Sequence, residues 1–305
     1  MPDSTSSVKL VQVCRVAPPP PPSPGAFASP SSLPLTFFDI RLLRFGPVQR
    51  LYFNQMPTYS ATPLFINSIL VPKLKASLSN TLQHFLPLAG NLTWPQDSKK
   101  PVLSYVQGDA VSLKIPKSNP DFYRLSSGDF VEATEYHPLL PQLGASHEQA
   151  PVVALQITVF PNCGFSIGTS MHHAILDGKT STLSRLDPHV SPNYFGNCIA
   201  GRTAVSETIA LFGEDGLVVA VNAISKAIKS LEKGVLDGAV NWVSRMFAVT
   251  SERMLTLVGS HHFGVYETNF GWGRPKTVEI VSIDRIRAIS FSNPKTDVGV
   301  IDSKK

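Results

Sequence analysis

The chain has 305 residues, 43% of them hydrophobic and 16% charged, with a formal net charge of +5. That length suffices for a large core and for two domains or parts of two, and evenly spread hydrophobicity excludes disorder over most of it. The positive balance is either ordinary surface charge or a bias toward anionic ligands, and no Lys/Arg block with interleaved aromatics points to nucleic acid.

In chain order, the first residues include Asp3 and several serines and lack a basic segment followed by an apolar stretch, so no signal peptide is expected. Val8 to Val16 reads as a strand. Pro18 to Pro22 and Pro24, closed by Gly25, read as a stiff exposed loop. Leu33 to Asp39 opens the globular part, and Leu51-Tyr52-Phe53 is a short strand. After Pro72, residues Leu74, Leu78, Leu82 and Phe85 form one apolar stripe at helical spacing, ended by Pro87 and Gly90. Strand patterns follow at Val102 to Val106 and Val111 to Ile115. Val152 to Phe160, the turn Pro161-Asn162-Cys163-Gly164 and Phe165 to Met171 read as a hairpin. Beyond Pro192, Leu217, Val221, Ile224, Ile228 and Leu231 form a helical stripe stopping at Gly234. Leu236, Val240, Val243 and Phe247 form another, and both stripes are expected to face a core. Strands return at His262 to Glu267, Val278 to Ile283 and Ala288 to Phe291. The mixture argues an α+β (mixed α/β) fold. No apolar run is long enough to span a bilayer.

Four residue groups bear on chemistry. Cys14, Cys163 and Cys198 are odd in number and far apart, which gives no disulfide framework and points to a reducing, cytoplasmic setting. His172-His173 and His261-His262 lack accompanying ligands at metal spacing, so no metal is expected. Gly164-Phe165-Ser166-Ile167-Gly168 fits the nucleophile-elbow pattern of serine hydrolases. That elbow needs a helix after the serine, and here a strand follows. His173-Ala174-Ile175-Leu176-Asp177-Gly178 places a histidine and an aspartate four apart at the end of an apolar strand. Histidine suits general-base work near neutral pH. The same residue also fits a buried histidine satisfied by backbone bonds, and spacing alone leaves both readings open.

With its flanks, His172 to Lys179 resembles the HxxxD motif of the plant BAHD acyltransferases. Asn269-Phe270-Gly271-Trp272-Gly273 resembles the family's DFGWG. Tyr194-Phe195-Gly196-Asn197-Cys198 resembles the YFGNC signature of the clade acting on anthocyanins and other phenolic glucosides. The motifs come in the family's order, and the resemblance runs from about Val8 to Ser292. It implies a two-domain, chloramphenicol-acetyltransferase-like fold with a channel between the domains, divided here as 1–183 and 184–305. It implies transfer of a malonyl or hydroxycinnamoyl group from acyl-CoA, the co-substrate, to a hydroxyl of a phenolic or flavonoid glucoside. No permanently bound cofactor, no membrane and a monomer go with it. His173 would be the base. Asp177 would support the histidine loop, with Arg185 as its candidate partner. Trp272 and its glycines would be structural, with an indole N–H at the oxyanion as the weaker alternative.

The sequence departs from that family in two ways. Asn269 stands where the family has aspartate, which removes a charge and keeps an acceptor oxygen. If that aspartate balances an arginine, the site is weakened. The family also separates HxxxD from YFGNC by a long region. Here Asp177 is followed almost at once by Ser184 to Pro188, text resembling what precedes YFGNC, so a junction falls near Thr182 to Ser184. The chain ends soon after Ser292, where family members continue. The expectation is an incomplete second domain, a channel lacking a wall, and little or no transferase activity. An inactive remnant is the alternative function.

Overall fold

Alternating side chains build the centre of this protein. The computed structural model describes residues 8–21, 31–57, 62–98, 100–119, 121–144, 149–175, 194–199, 201–234, 236–242, 244–245, 255–259, 264–286 and 288–291. The chain divides into two compact units, Met1–Gly178 with Leu255–Lys305, and Lys179–Met254.

In the first unit, strands β1 (Val8–Val16), β3 (Val48–Gln55), β6 (Val111–Ser118), β8 (Val153–Phe160), β9 (Gly164–Met171) and β11 (Thr277–Ile280) form a sheet in the order β1-β6-β8-β9-β3-β11. The expected hairpin is present: β8 and β9 pair antiparallel from Val153 opposite Met171 to Phe160 opposite Gly164. Its turn puts Asn162 at φ 61° and Gly164 at φ 156°. A Cβ on Gly164 would overlap the Asn54 carbonyl oxygen of β3, so the close approach requires glycine.

Because side chains alternate, the sheet has two apolar faces. On one, Tyr52, Leu113, Ile157, Phe165 and Ile167 pack against Ile66, Leu70 and Val71. On the other, Leu51, Phe53 and Phe160 pack against Phe122, Leu125, Tyr136 and Leu139. Two short helices, α4 (Phe122–Leu125) and α5 (Ala133–Tyr136), supply much of that second layer. Strands β2 (Ser32–Pro34), β4 (Asn91–Thr93), β5 (Val102–Ser104) and β7 (Gln149–Pro151) form a separate four-stranded sheet. Strands β10 (Thr256–Gly259) and β12 (Ala288–Phe291) pair in parallel.

The helix expected after Pro72 starts earlier than its stripe. It runs from α2 (Pro63–Phe65) through a π-helical stretch, Ile66–Leu70, into α3 (Val71–His84). The Val71 N–H reaches back five residues to the Ile66 carbonyl. Pro72 has no N–H, and its ring crowds the carbonyl four residues back, which the wider turn relieves. Leu82 is buried as expected, whereas Phe85 lies past the helix end and is exposed.

The structure corrects three expectations. Residues 184–305 do not pack as one domain: β11 pairs antiparallel with β3, and the Lys276 N–H donates to the Phe53 carbonyl at 2.7 Å. The segment from Leu255 therefore belongs with the first unit. Val265–Glu267 and Val281–Ile286 are 3-10 turns rather than strand.

The third correction concerns the second unit. It contains α6 (Thr208–Leu211) and α7 (Gly216–Lys229), with a 3-10 turn Ser230–Lys233 ended by Gly234 at φ 146°. Arg202 ties it together. Its Nε donates to Ser230 Oγ at 3.3 Å, one terminal nitrogen donates to the Gly234 carbonyl at 3.0 Å, and its guanidinium lies 5.5 Å from the Trp242 ring centre. The helical stripe at Leu217, Val221, Ile224 and Ile228 forms, but it faces solvent, and so do Leu236 and Val240. Periodicity identifies an apolar face without supplying the surface that would cover it. Val243 and Phe247 of the second stripe lie outside the described residues.

Candidate active site

His173 sits where β9 ends. The final β9 residue, Met171, is bracketed by Val48 and Val153. Past it, the His172 N–H donates to the Val152 carbonyl at 2.8 Å, and the Ile175 N–H closes a turn on the His172 carbonyl at 2.9 Å. Ala174 and Ile175 are buried and anchor that turn. His172 uses its Nδ1 to accept the Ala174 N–H at 3.2 Å, which places its own ring proton on Nε2. The expectation that a strand end presents the histidine pair is met.

The His173 ring is part-buried, 5.7 Å from the Phe45 ring at an interplanar angle of 59°. Phe45 follows α1 (Phe37–Ile40), whose start is fixed by a capping box. The Asp39 carboxylate accepts from the Thr36 N–H at 2.8 Å and from the Thr36 hydroxyl at 2.6 Å. Arg41 follows α1 directly and sits near enough to act on His173. The T-x-x-D spacing was the available signal for this wall, although it does not say what the helix faces.

Burial pushes the His173 imidazole below its ordinary value of 6.5. Hydrogen bonding to its own main chain opposes this, and the positive charge of Arg41 adds to the lowering. His172 is lowered by burial first and by His173 second. Both rings therefore favour the neutral form. The sign for stability follows: the unfolded chain binds more protons than the folded one once pH falls below the unfolded value of 6.5. The stabilising effect of neutral rings is thus present above 6.5 and lost as pH falls through the folded values. Thermal melts in weak buffer are expected to drop on the acid side of 6.5, and His172→Asn/His173→Asn should flatten that part of the curve.

Ser166 is not a nucleophile by position. It lies mid-strand in β9, is 0% exposed, and its Oγ has no hydrogen-bond partner among the described residues. Its neighbours on that face serve structure. Ser170 donates to the Pro141 carbonyl, Gln49 donates to Ser170 Oγ at 3.0 Å, and Gln156 donates to the Pro138 carbonyl at 2.9 Å. Ser166→Ala removes a buried hydroxyl without breaking a partner, so activity and melting temperature should both stay near those of the parent.

The Asn269 to Gly273 loop lies at the other end of β9. Trp272 stacks edge-on to Phe165 at 6.0 Å, with Lys73 Nζ 5.8 Å from the indole centre, and Phe270 stacks on Tyr52 at 5.3 Å. From Phe165 to His172 is seven strand steps, roughly 23 Å at about 3.3 Å each. Trp272 thus packs on Phe165 at the end of β9 away from the histidine pair. The Asn269 Oδ1 accepts from the Gly271 N–H at 2.8 Å and the Gly273 N–H at 3.2 Å, and both glycines have φ above 90°. An amide oxygen fills this capping role as a carboxylate would, so the loss of charge at 269 leaves the loop's cap in place.

Tyr194 to Cys198 belong to the second unit. Tyr194 Oη donates to the Asn197 carbonyl at 3.4 Å around Gly196 at φ 139°, and Asn197 and Cys198 are buried. Asp177, Arg185, the junction at Thr182 to Ser184 and His261-His262 lie outside the described residues. Among the described residues, no group of His, Cys, Asp or Glu is placed to hold a metal ion, and no helix is long and apolar enough to cross a membrane.

This architecture has a solved counterpart. The crystal structure of vinorine synthase superposes with a TM-score of 0.73 over 95% of this chain and 92% of that one, at 14% identity. The fold is that of the mixed α/β CoA-dependent acyltransferases. The model of the Transferase family matches residues 24–184 and 180–301, and the chain belongs to that family, the BAHD acyltransferases. Phenolic glucoside malonyltransferase 1 of Arabidopsis thaliana is 27% identical over 446 aligned positions, covering 97% of this chain and 94% of its own. A BAHD acyltransferase of Arabidopsis thaliana is 46% identical over 153 residues, half of this chain and 34% of its own. An alignment of 446 positions against 305 residues means that this chain lacks a long stretch the relative has. The two family-matched segments meet at 180–184, where the sequence placed the junction.

Proposed function

We propose that this protein is an acyl-CoA-dependent O-acyltransferase that moves a malonyl group to a sugar hydroxyl of a phenolic or flavonoid glucoside, with His173 as general base. The carrying observation is the part-buried His173 ring at the end of β9, held neutral by burial and by Arg41. A neutral imidazole takes the hydroxyl proton as the oxygen attacks the thioester carbonyl. The tetrahedral intermediate then collapses and expels the CoA thiolate, which leaves as the thiol with the proton from the imidazole. No acyl-enzyme is needed, in keeping with the buried Ser166. Malonyl is favoured over hydroxycinnamoyl because the relatives aligned along nearly the whole chain are malonyltransferases of phenolic and anthocyanin glucosides. Asp177 supports the His173 loop in this reading.

The test is thiol release from malonyl-CoA with a panel of phenolic glucosides, with product mass confirming the acylated sugar. If His173 is the base, the acid limb of kcat/KM lies below 6.5, because the base must be neutral and its ring is lowered from that value. A limb above 6.5 would contradict the assignment.

A second reading has its own support. The missing stretch and the uncovered α7 stripe favour a shortened, non-catalytic chain. Loss of a wall admits water and weakens the electrostatics of the site. Folded protein that releases no thiol above background would select this reading.

A further inference from the structure

We infer that Phe45 is a positioning residue for His173: its ring sets the plane of the imidazole and keeps water off it without occupying either ring nitrogen. This role rests on the reading of His173 as general base. Strand register brings the two rings together. Val48, the first residue of β3, pairs with Met171, the last residue of β9. Phe45 lies three residues before Val48 and His173 two residues after Met171, so both overhang the same end of neighbouring antiparallel strands. A run of turns holds Phe45 from its other side. The Leu42 N–H donates to the Asp39 carbonyl at 2.9 Å, the Phe45 N–H donates to the Leu42 carbonyl at 3.1 Å, and Leu42 is buried. That run begins at the Thr36–Asp39 capping box. Phe45 therefore meets the imidazole from a backbone fixed at both ends.

Such a contact suits a base. The 5.7 Å separation and 59° tilt fall within the geometry in which aromatic rings attract, with centres about 4.5–7 Å apart. A base needs an imidazole that points one way and keeps a lone pair for the incoming hydroxyl. A phenyl ring orients it by packing and offers no hydrogen bond that competes with that hydroxyl. His172 shows the other arrangement, with its Nδ1 taken by the Ala174 N–H. The phenyl ring also displaces water from one side of the imidazole, which disfavours the charged form. The charged or titratable groups facing His173 among the described residues are Arg41, on the segment that carries Phe45, and His172, on the same turn. Dryness strengthens the effect of the Arg41 charge, so opening the Phe45 side weakens both influences.

Histidine NMR titration of the full chain, with the His173 signal identified by its loss in His173→Asn, tests this alongside steady-state kinetics. Phe45→Ala is expected to move the His173 midpoint up toward 6.5, because water reaches the ring and screens Arg41. It should lower kcat about tenfold to a hundredfold, the cost of a loosely held group, and leave KM for malonyl-CoA within about threefold. Phe45→Leu keeps apolar bulk without the flat ring. It should lower kcat with a smaller rise of the midpoint, and it carries the test should the alanine variant not fold. Phe45→Tyr keeps the ring and should restore both kcat and midpoint. An unmoved midpoint in Phe45→Ala, an unchanged kcat, a loss confined to KM, or a tyrosine variant as impaired as the alanine one would each overturn the inference. In a parent chain without turnover the titration decides, and an unmoved midpoint overturns it there too. Turnover retained in His173→Ala would remove the base assignment and the role of Phe45 with it. Turnover lost there but kept in Phe45→Ala would remove the role of Phe45 alone.

Discussion

Replacing His173 by alanine is expected to lower turnover of malonyl-CoA by roughly a hundredfold to ten-thousandfold, the usual contribution of a positioned general base. The ring is part-buried at a strand end, so its loss should leave the sheet intact: Ala174 and Ile175, not His173, anchor the turn. The His172→Ala variant is the informative comparison. His172 holds the Ala174 N–H with its Nδ1, so its loss should loosen the turn and reduce turnover less steeply. Steady-state kinetics on both variants, with circular dichroism to confirm folding, decides the matter. Equal losses would remove His173 from its role. A folded parent chain that shows no turnover leaves the substitution nothing to remove, and the non-catalytic reading then stands.

The largest stability effect is expected at Phe53. Its side chain is 0% exposed and lies among the rings of Phe122, Tyr136 and Phe160 at centroid distances of 5.9, 6.1 and 6.2 Å. Phe53→Ala deletes a buried ring and leaves a cavity that neighbours fill only in part, a cost of about 3–5 kcal/mol. Set against a typical total of about 5–15 kcal/mol, that is a large share. Urea denaturation should show the midpoint moving down with an unchanged slope. A shift worth less than about 1 kcal/mol would mean that this cluster is not a tightly packed core.

Local pattern made the strands legible. Val153 to Met171 alternates around Asn162 and Gly164, and the hairpin follows from alternation and turn chemistry alone. Three motifs in order made the family legible, together with the junction near Thr182. Features that depend on distant partners were not legible. Nothing near Thr277 says that β11 will lie beside β3, which precedes it by more than two hundred residues, so the domain boundary was misplaced. The α7 stripe announced a helix truthfully, yet a period of 3.6 cannot report what, if anything, packs on it. The wall beside His173 was hidden for a similar reason. The Thr36–Asp39 spacing marks where α1 starts, while the approach of Phe45 to the imidazole depends on how β3 and β9 pair.

The β11–β3 pairing has a bearing on how the polypeptide is made. Strand β3 leaves the ribosome more than two hundred residues ahead of its partner β11. Until then, the nascent chain carries β3 with one side unpaired, the Phe53 carbonyl waiting for the Lys276 N–H. Such an edge recruits other strands, so a message cut short before codon 277 would yield a product prone to clump or to occupy chaperones.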